Sequence, residues 1–120
     1  MKVFLEKEDF IFNTKVYQKI GYDNMQGELD RISIIAKKAT LIMKNFEEKL
    51  SFFKGESEVS IINKNASKGF TKVSYDTFNI LKESNKYSKL TNGIFDITIA
   101  PLVKEWAINS ETPRVLRRKS

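Results

Sequence analysis

The stretch that decides the fold is Asp30 to Phe53, DRISIIAKKATLIMKNFEEKLSFF. Ile32, Ile35, Ala39, Ile42, Phe46 and Lys49/Leu50 follow the alternating three- and four-residue spacing of one helical face. Asp30 suits an N-cap and Gly55 a terminator. Lys37, Lys38, Lys44, Glu47 and Glu48 supply much of the wet side. So broad an apolar stripe is not stable alone in water, so the helix must pack on something else in the chain.

N-terminal to it, Phe10 to Ile20 reads as one extended strand, rich in aromatic and β-branched residues and ended by Gly21. Phe10, Phe12, Val16 and Ile20 share one parity, Ile11 and Tyr17 the other. Tyr22 to Gly27 is a polar turn. C-terminal to the helix, Ser57 to Asn63 suits a short helix with Val59 and Ile62 inward, and Asn65 to Gly69 a loop. Ser74 suits the N-cap of a helix from Tyr75 to Leu90, with Phe78, Leu81, Tyr87 and Leu90 as buried candidates. Asn92-Gly93 signals a turn. Ile94 to Ile99 alternates as a short strand, with Phe95, Ile97 and Ile99 opposite Asp96 and Thr98. Pro101 suits the first turn of a helix over Leu102 to Ile108. The expected class is α/β (α+β), with too few strands for a complete sheet.

Composition narrows the chemistry. With 120 residues, 41% hydrophobic and 30% charged, the chain has the balance of one globular domain. It has no His and no Cys, which removes Ser-His-Asp triads, cysteine nucleophiles, disulfides and His/Cys zinc sites. Acid-base work would fall to Asp, Glu, Lys or Tyr. The net charge is +6, half of it in the last ten residues, where Arg114, Arg117, Arg118 and Lys119 face only Glu111. Such a tail can be a solvated terminus or touch an anionic partner. No aromatic residue is interleaved with it, so no nucleic-acid partner is expected. The apolar run near the N-terminus covers only Val3 to Leu5, far short of a signal-peptide core or a membrane span. As written the chain is expected to be cytoplasmic.

Three stretches carry candidate chemistry. In Asn92 to Trp106, NGIFDITIAPLVKEW, Asp96 and Thr98 stand just before a helix start. Thr98 can donate to a phosphate and Asp96 can accept from a ribose or ring nitrogen, or both can simply cap the helix. In Leu50 to Asn63, Phe52 and Phe53 are adjacent and point different ways. Both can be core residues, or one can be exposed to stack on a flat ring. In the first strand, Asn13 and Thr14 interrupt an apolar run at Phe12, as at a site edge.

In this order the pieces resemble the N-terminal part of the ApbE family of flavin transferases, the FAD:protein FMN transferases. Phe12-Asn13-Thr14 stands where the family has a Met-Gly-Thr-like element. Leu50-Ser51-Phe52-Phe53 follows at the end of the long helix, then Ser57-Glu58-Val59 and Asn63, then Val73-Ser74-Tyr75. Gly93, Phe95-Asp96, Thr98 and Pro101-Leu102-Val103, with Trp106 behind them, match the family's last and most specific motif of this region. The likeness spans residues about 10 to 106, within a single partial domain over 1–120 and a basic tail over 107–120. Asn13 replaces a Gly, Phe52 an Arg or Thr, Tyr75 a Pro and Ala100 a Gly of the family pattern.

The resemblance implies binding of FAD, cleavage of its pyrophosphate with Mg²⁺, and attachment of FMN to a Thr of a target protein. It implies flavin contacts at Phe12, Phe53, Ile94, Phe95 and Asp96, with Thr98 beside them. The family's Mg²⁺ ligands and further flavin contacts lie in a C-terminal half that this sequence does not show. The chain is therefore expected to be a truncated transferase, inactive alone, with self-association through an exposed sheet edge. A shortened, non-catalytic module that binds a flavin or a partner is the alternative. Family members are often exported and membrane-anchored.

Overall fold

A computed structural model describes residues 1–108 and 110–115. The class is mixed, with a two-stranded sheet, four helices and a 3₁₀ turn among the described residues. The chain divides into two compact units, Met1–Val73 and Ser74–Ser120. Arg117, Arg118 and Lys119 of the basic tail lie outside the described residues.

The first unit opens with an antiparallel hairpin, β1 (Lys2–Ile11) and β2 (Thr14–Asp23). The expected single strand over Phe10–Ile20 is thus two strands. A two-residue turn at Phe12-Asn13 breaks it without any Gly or Pro, and the first strand begins at Lys2, eight residues before the expected start at Phe10. Alternation is clean: Val3, Leu5, Lys7, Asp9 and Ile11 turn inward, Ile11 wholly buried, while Phe4, Glu6, Glu8 and Phe10 are exposed. Opposed charges pair on the outer face, where Lys19 Nζ lies 3.1 Å from Glu6 and 4.7 Å from the ring centre of Phe4.

Helix α1 (Glu28–Leu50) packs on the hairpin's inner face. Its N-cap is Gly27, at φ +82°, rather than Asp30, which sits inside the first turn with Glu28, where carboxylates favour the helix dipole. Arg31 pairs with both oxygens of Glu28, at 3.0 and 2.9 Å. The helix ends at Leu50, ahead of the expected Gly55, because Ser51 turns extended with its N–H on the Glu47 carbonyl at 3.0 Å.

The buried stripe of α1 is Ile32, Ala36 and Thr40, so Ile35 and Ile42 of the expected face are 44% and 59% exposed. The reason lies on the sheet. Lys7 and Gln18 stand opposite each other, and both donate to the Thr40 hydroxyl, at 2.7 and 2.8 Å. That hydroxyl donates in turn to Asp9 at 2.9 Å, and Lys7 is 2.8 Å from the same carboxylate oxygen. Ile34, Ile35, Leu41 and Ile42 are all left exposed, because the face turned to the sheet is the one that meets its polar demand at Thr40.

Helix α2 (Glu58–Asn65) packs on α1 and is capped by Ser57, whose Oγ accepts from the Ser60 N–H at 3.1 Å. Val59 and Ile62 are half-buried, as a short amphipathic helix requires.

The second unit begins with α3 (Tyr75–Leu90), capped by Ser74 as expected. Phe78, Tyr87 and Leu90, expected in a core, are exposed, and Leu81 is half-buried. The short elements that follow α3 offer too little surface to cover its stripe. The helix closes in a Schellman motif: Gly93 N–H reaches the Ser88 carbonyl at 2.8 Å, and Asn92 N–H the Lys89 carbonyl at 3.2 Å. The expected Ile94–Ile99 strand does not form. Asp96 alone is extended as a cap, Ile97–Ile99 is the 3₁₀ turn, and α4 runs over Ala100–Trp106 with Pro101 in its first turn. Six alternating residues between a tight turn and a proline have no partner strand to pair with among the described residues. No helix among the described residues is long and apolar enough to cross a membrane.

Candidate functional site

Of the six sequence-predicted contacts, Phe12 and Phe53 belong to the first unit, and Ile94, Phe95, Asp96 and Thr98 to the second.

Phe12 sits at the hairpin tip with φ +56°, followed by Asn13 at +57°. Asn tolerates this left-handed conformation and a bulky aromatic does not, so the tip is strained at Phe12. Its amide donates to Glu47 Oε1 of α1 at 3.0 Å, and its ring is 46% exposed. Phe53 lies in the loop between α1 and α2 and is 65% exposed, edge-to-face against half-buried Phe52 at 5.5 Å and 82°. Of the two readings of that pair, one exposed ring is the one realised.

Serines hold this loop. Ser57, 2% exposed, donates its hydroxyl to the Ser51 carbonyl at 2.6 Å, and Ser60 donates to the Phe52 carbonyl at 3.3 Å. Lys64 reaches the Gly55 carbonyl at 2.9 Å, and Lys54 pairs with Glu48. The serines of this stretch are thus structural supports that fix the backbone on which Phe53 stands. A short helix starting about Ser57 was legible, although Ser57 is its cap rather than its first residue. The carbonyl partners of Ser57 and Ser60 were not, because they depend on how the loop folds back.

Glu47 is the residue that sequence reasoning missed. It was placed on the wet side of the helix, yet its carboxylate meets a backbone amide 35 residues away. Its carbonyl also accepts the Ser51 N–H that ends α1. One residue therefore ties the Phe12 turn and the start of the Phe53 loop to the same point of the helix.

In the second unit the Phe95 amide donates to Thr91 Oγ1 at 2.9 Å, and the Phe95 ring meets Tyr87 edge-to-face at 6.4 Å. Asp96 Oδ1 accepts from both the amide and the hydroxyl of Thr98, at 2.8 and 2.7 Å. Those donors, the hydroxyl first, hold the Asp96 carboxyl below its ordinary pKa. The pair thus performs the capping role. Ile94 and Phe95 are exposed, as are Asp96 and Thr98. Among the described residues no three of His, Cys, Asp and Glu gather where they could hold a metal ion.

A sequence profile of the ApbE family matches residues 10–120. The chain belongs to the ApbE family. Among its ApbE relatives, the FAD:protein FMN transferase of Vibrio cholerae is 28% identical over 103 residues, covering 83% of this chain and 28% of that protein. The FAD:protein FMN transferase of Haemophilus influenzae is 32% identical over 71 residues, covering 58% of this chain and 20% of that protein. The crystal structure of the ApbE protein from Thermotoga maritima superposes with a TM-score of 0.81 at 27% identity, over 97% of this chain and 36% of that one. The chain thus spans about a third or less of the length of these ApbE proteins.

Proposed function

We propose that this chain takes part in FAD:protein FMN transfer as a flavin-holding part of an ApbE fold. The observation that carries the reading is the match to the family over residues 10–120, with aromatic rings exposed at the positions where the resemblance implies flavin contacts. Phe12 and Phe53 offer apolar faces to a flat ring from a backbone held by hydrogen bonds. In the second unit Ile94 and Phe95 present exposed apolar surface of their own, and the Asp96 carboxylate offers acceptor capacity while the Thr98 hydroxyl donates to it.

The transfer exchanges the phosphoanhydride of FAD for a phosphoester on a threonine hydroxyl of a target protein, with AMP as the leaving group. It calls for positive charge at the phosphates. The described residues do not fit a Mg²⁺ site, since no carboxylates gather and Asp96 Oδ1 is already engaged by Thr98. No step at a metal belongs to them, and the 120-residue chain is expected to hold FAD without transferring FMN.

Titration of FAD against the chain, followed by flavin fluorescence, tests this. Saturable quenching is expected, reduced by Phe12→Ala and by Phe53→Ala. An unquenched titration overturns the reading, and FMN attached to a target protein by this chain with FAD and Mg²⁺ overturns its non-catalytic part.

A further inference from the structure

The hairpin tip is a costly place for Phe12. A left-handed, non-glycine, bulky residue is disfavoured, and such strain persists only where the surroundings enforce it. An Asn-Gly pair would make the same turn without strain. In a two-residue turn the amide of the first central residue points away from the ladder, and here it meets a carboxylate brought from α1. Such charge-assisted bonds are stronger than neutral ones. Glu47 lies seven residues beyond Thr40, two turns along the helix on the face that meets the hairpin. Its backbone carbonyl caps the turn that launches the Phe53 loop.

We infer that Glu47 is a positioning residue for the flavin: its carboxylate locks the left-handed tip so that the Phe12 ring stands out at a fixed angle, referenced to the loop that carries Phe53. This rests on the flavin-holding reading above. Glu47 does not touch the flavin and acts through the Phe12 amide.

Two measurements test it. In the unmodified chain, hydrogen exchange of the Phe12 amide should be slowed about 10-fold or more relative to an open amide, although it lies at an exposed tip. In FAD titrations Glu47→Ala should weaken binding about 5- to 10-fold, the loss of one such bond. Glu47→Gln, which keeps an oxygen acceptor, should restore binding to within about 3-fold of the parent. Helical circular dichroism should stay unchanged in both. A merely structural role would not be rescued by the amide in this way. An unprotected Phe12 amide overturns the inference. So does a Glu47→Ala chain that binds FAD as tightly as the parent. If the parent itself fails to quench FAD while its Phe12 amide is protected, the flavin-holding reading is what fails, and the lock stands without its ligand.

Discussion

Two places among the described residues set consecutive residues at positive φ: Phe12-Asn13 at +56° and +57°, and Asn92-Gly93 at +51° and +81°. The backbones are alike and the side chains are not. Asn and Gly adopt the left-handed region at little cost, and the second turn is closed by its own neighbours, through Ser88, Lys89 and Thr91. The first needs a carboxylate from a helix 35 residues away. A self-sufficient turn marks a joint. A turn that must be held from outside, around an exposed aromatic ring, marks a place where geometry has been kept at the expense of stability.

The largest effect that would break this contrast comes at the self-sufficient turn. Gly93→Val forces a β-branched residue to φ +81° and should destabilise the second unit by about 1–3 kcal/mol, read as a lower urea midpoint for α3. Next comes conversion of the first turn into a copy of the second. Phe12→Asn with Asn13→Gly should raise the stability of the first unit by about 1 kcal/mol while abolishing most FAD quenching. A gain in both would show that the strain serves nothing.

The smallest effect sharpens the contrast through pH. The Asp9 carboxyl is held below its ordinary pKa first by Lys7, two residues away on the same strand, and also by Thr40 of α1, whereas Asp96 is held down only by its near neighbour Thr98. In each case the folded pKa lies below the unfolded one. The stabilisation is therefore full above about pH 4 and disappears as pH falls through the depressed folded value. Acid should loosen the hairpin from α1, an effect that Asp9→Asn removes and Asp96→Asn leaves in place. Ring resonances of Phe and methyl resonances of Ile would follow it.

Much of the fold was legible. The long helix, the Ser74 cap and the Asn92-Gly93 turn are local signals, written within a few residues of where they act. The hairpin was not, because Phe12-Asn13 has no Gly or Pro and sets a bulky aromatic at a left-handed position, with its amide bonded to a carboxylate far along the chain. The buried face of α1 was not, because Thr40 looks polar until Lys7, Asp9 and Gln18 surround it. The motif that names the family was found, but its expected strand was a cap and a 3₁₀ turn, since period-two alternation says nothing about whether a partner strand exists. At the candidate site the aromatic residues were visible from sequence, and the residue that aims one of them was not.

The cluster around Thr40 has a consequence for how the hairpin finds its alignment. Both faces of β1 and β2 carry charged residues, so burial of apolar groups gives weak instruction about which residue should sit opposite which. Sliding one strand past the other by a single step would send Lys7 or Gln18 to the far side. The Thr40 hydroxyl would then be left underneath with a donor missing, at a cost of about 1–3 kcal/mol. One hydroxyl with two donors and one acceptor works as a parity check: only the correct pairing of strands completes it.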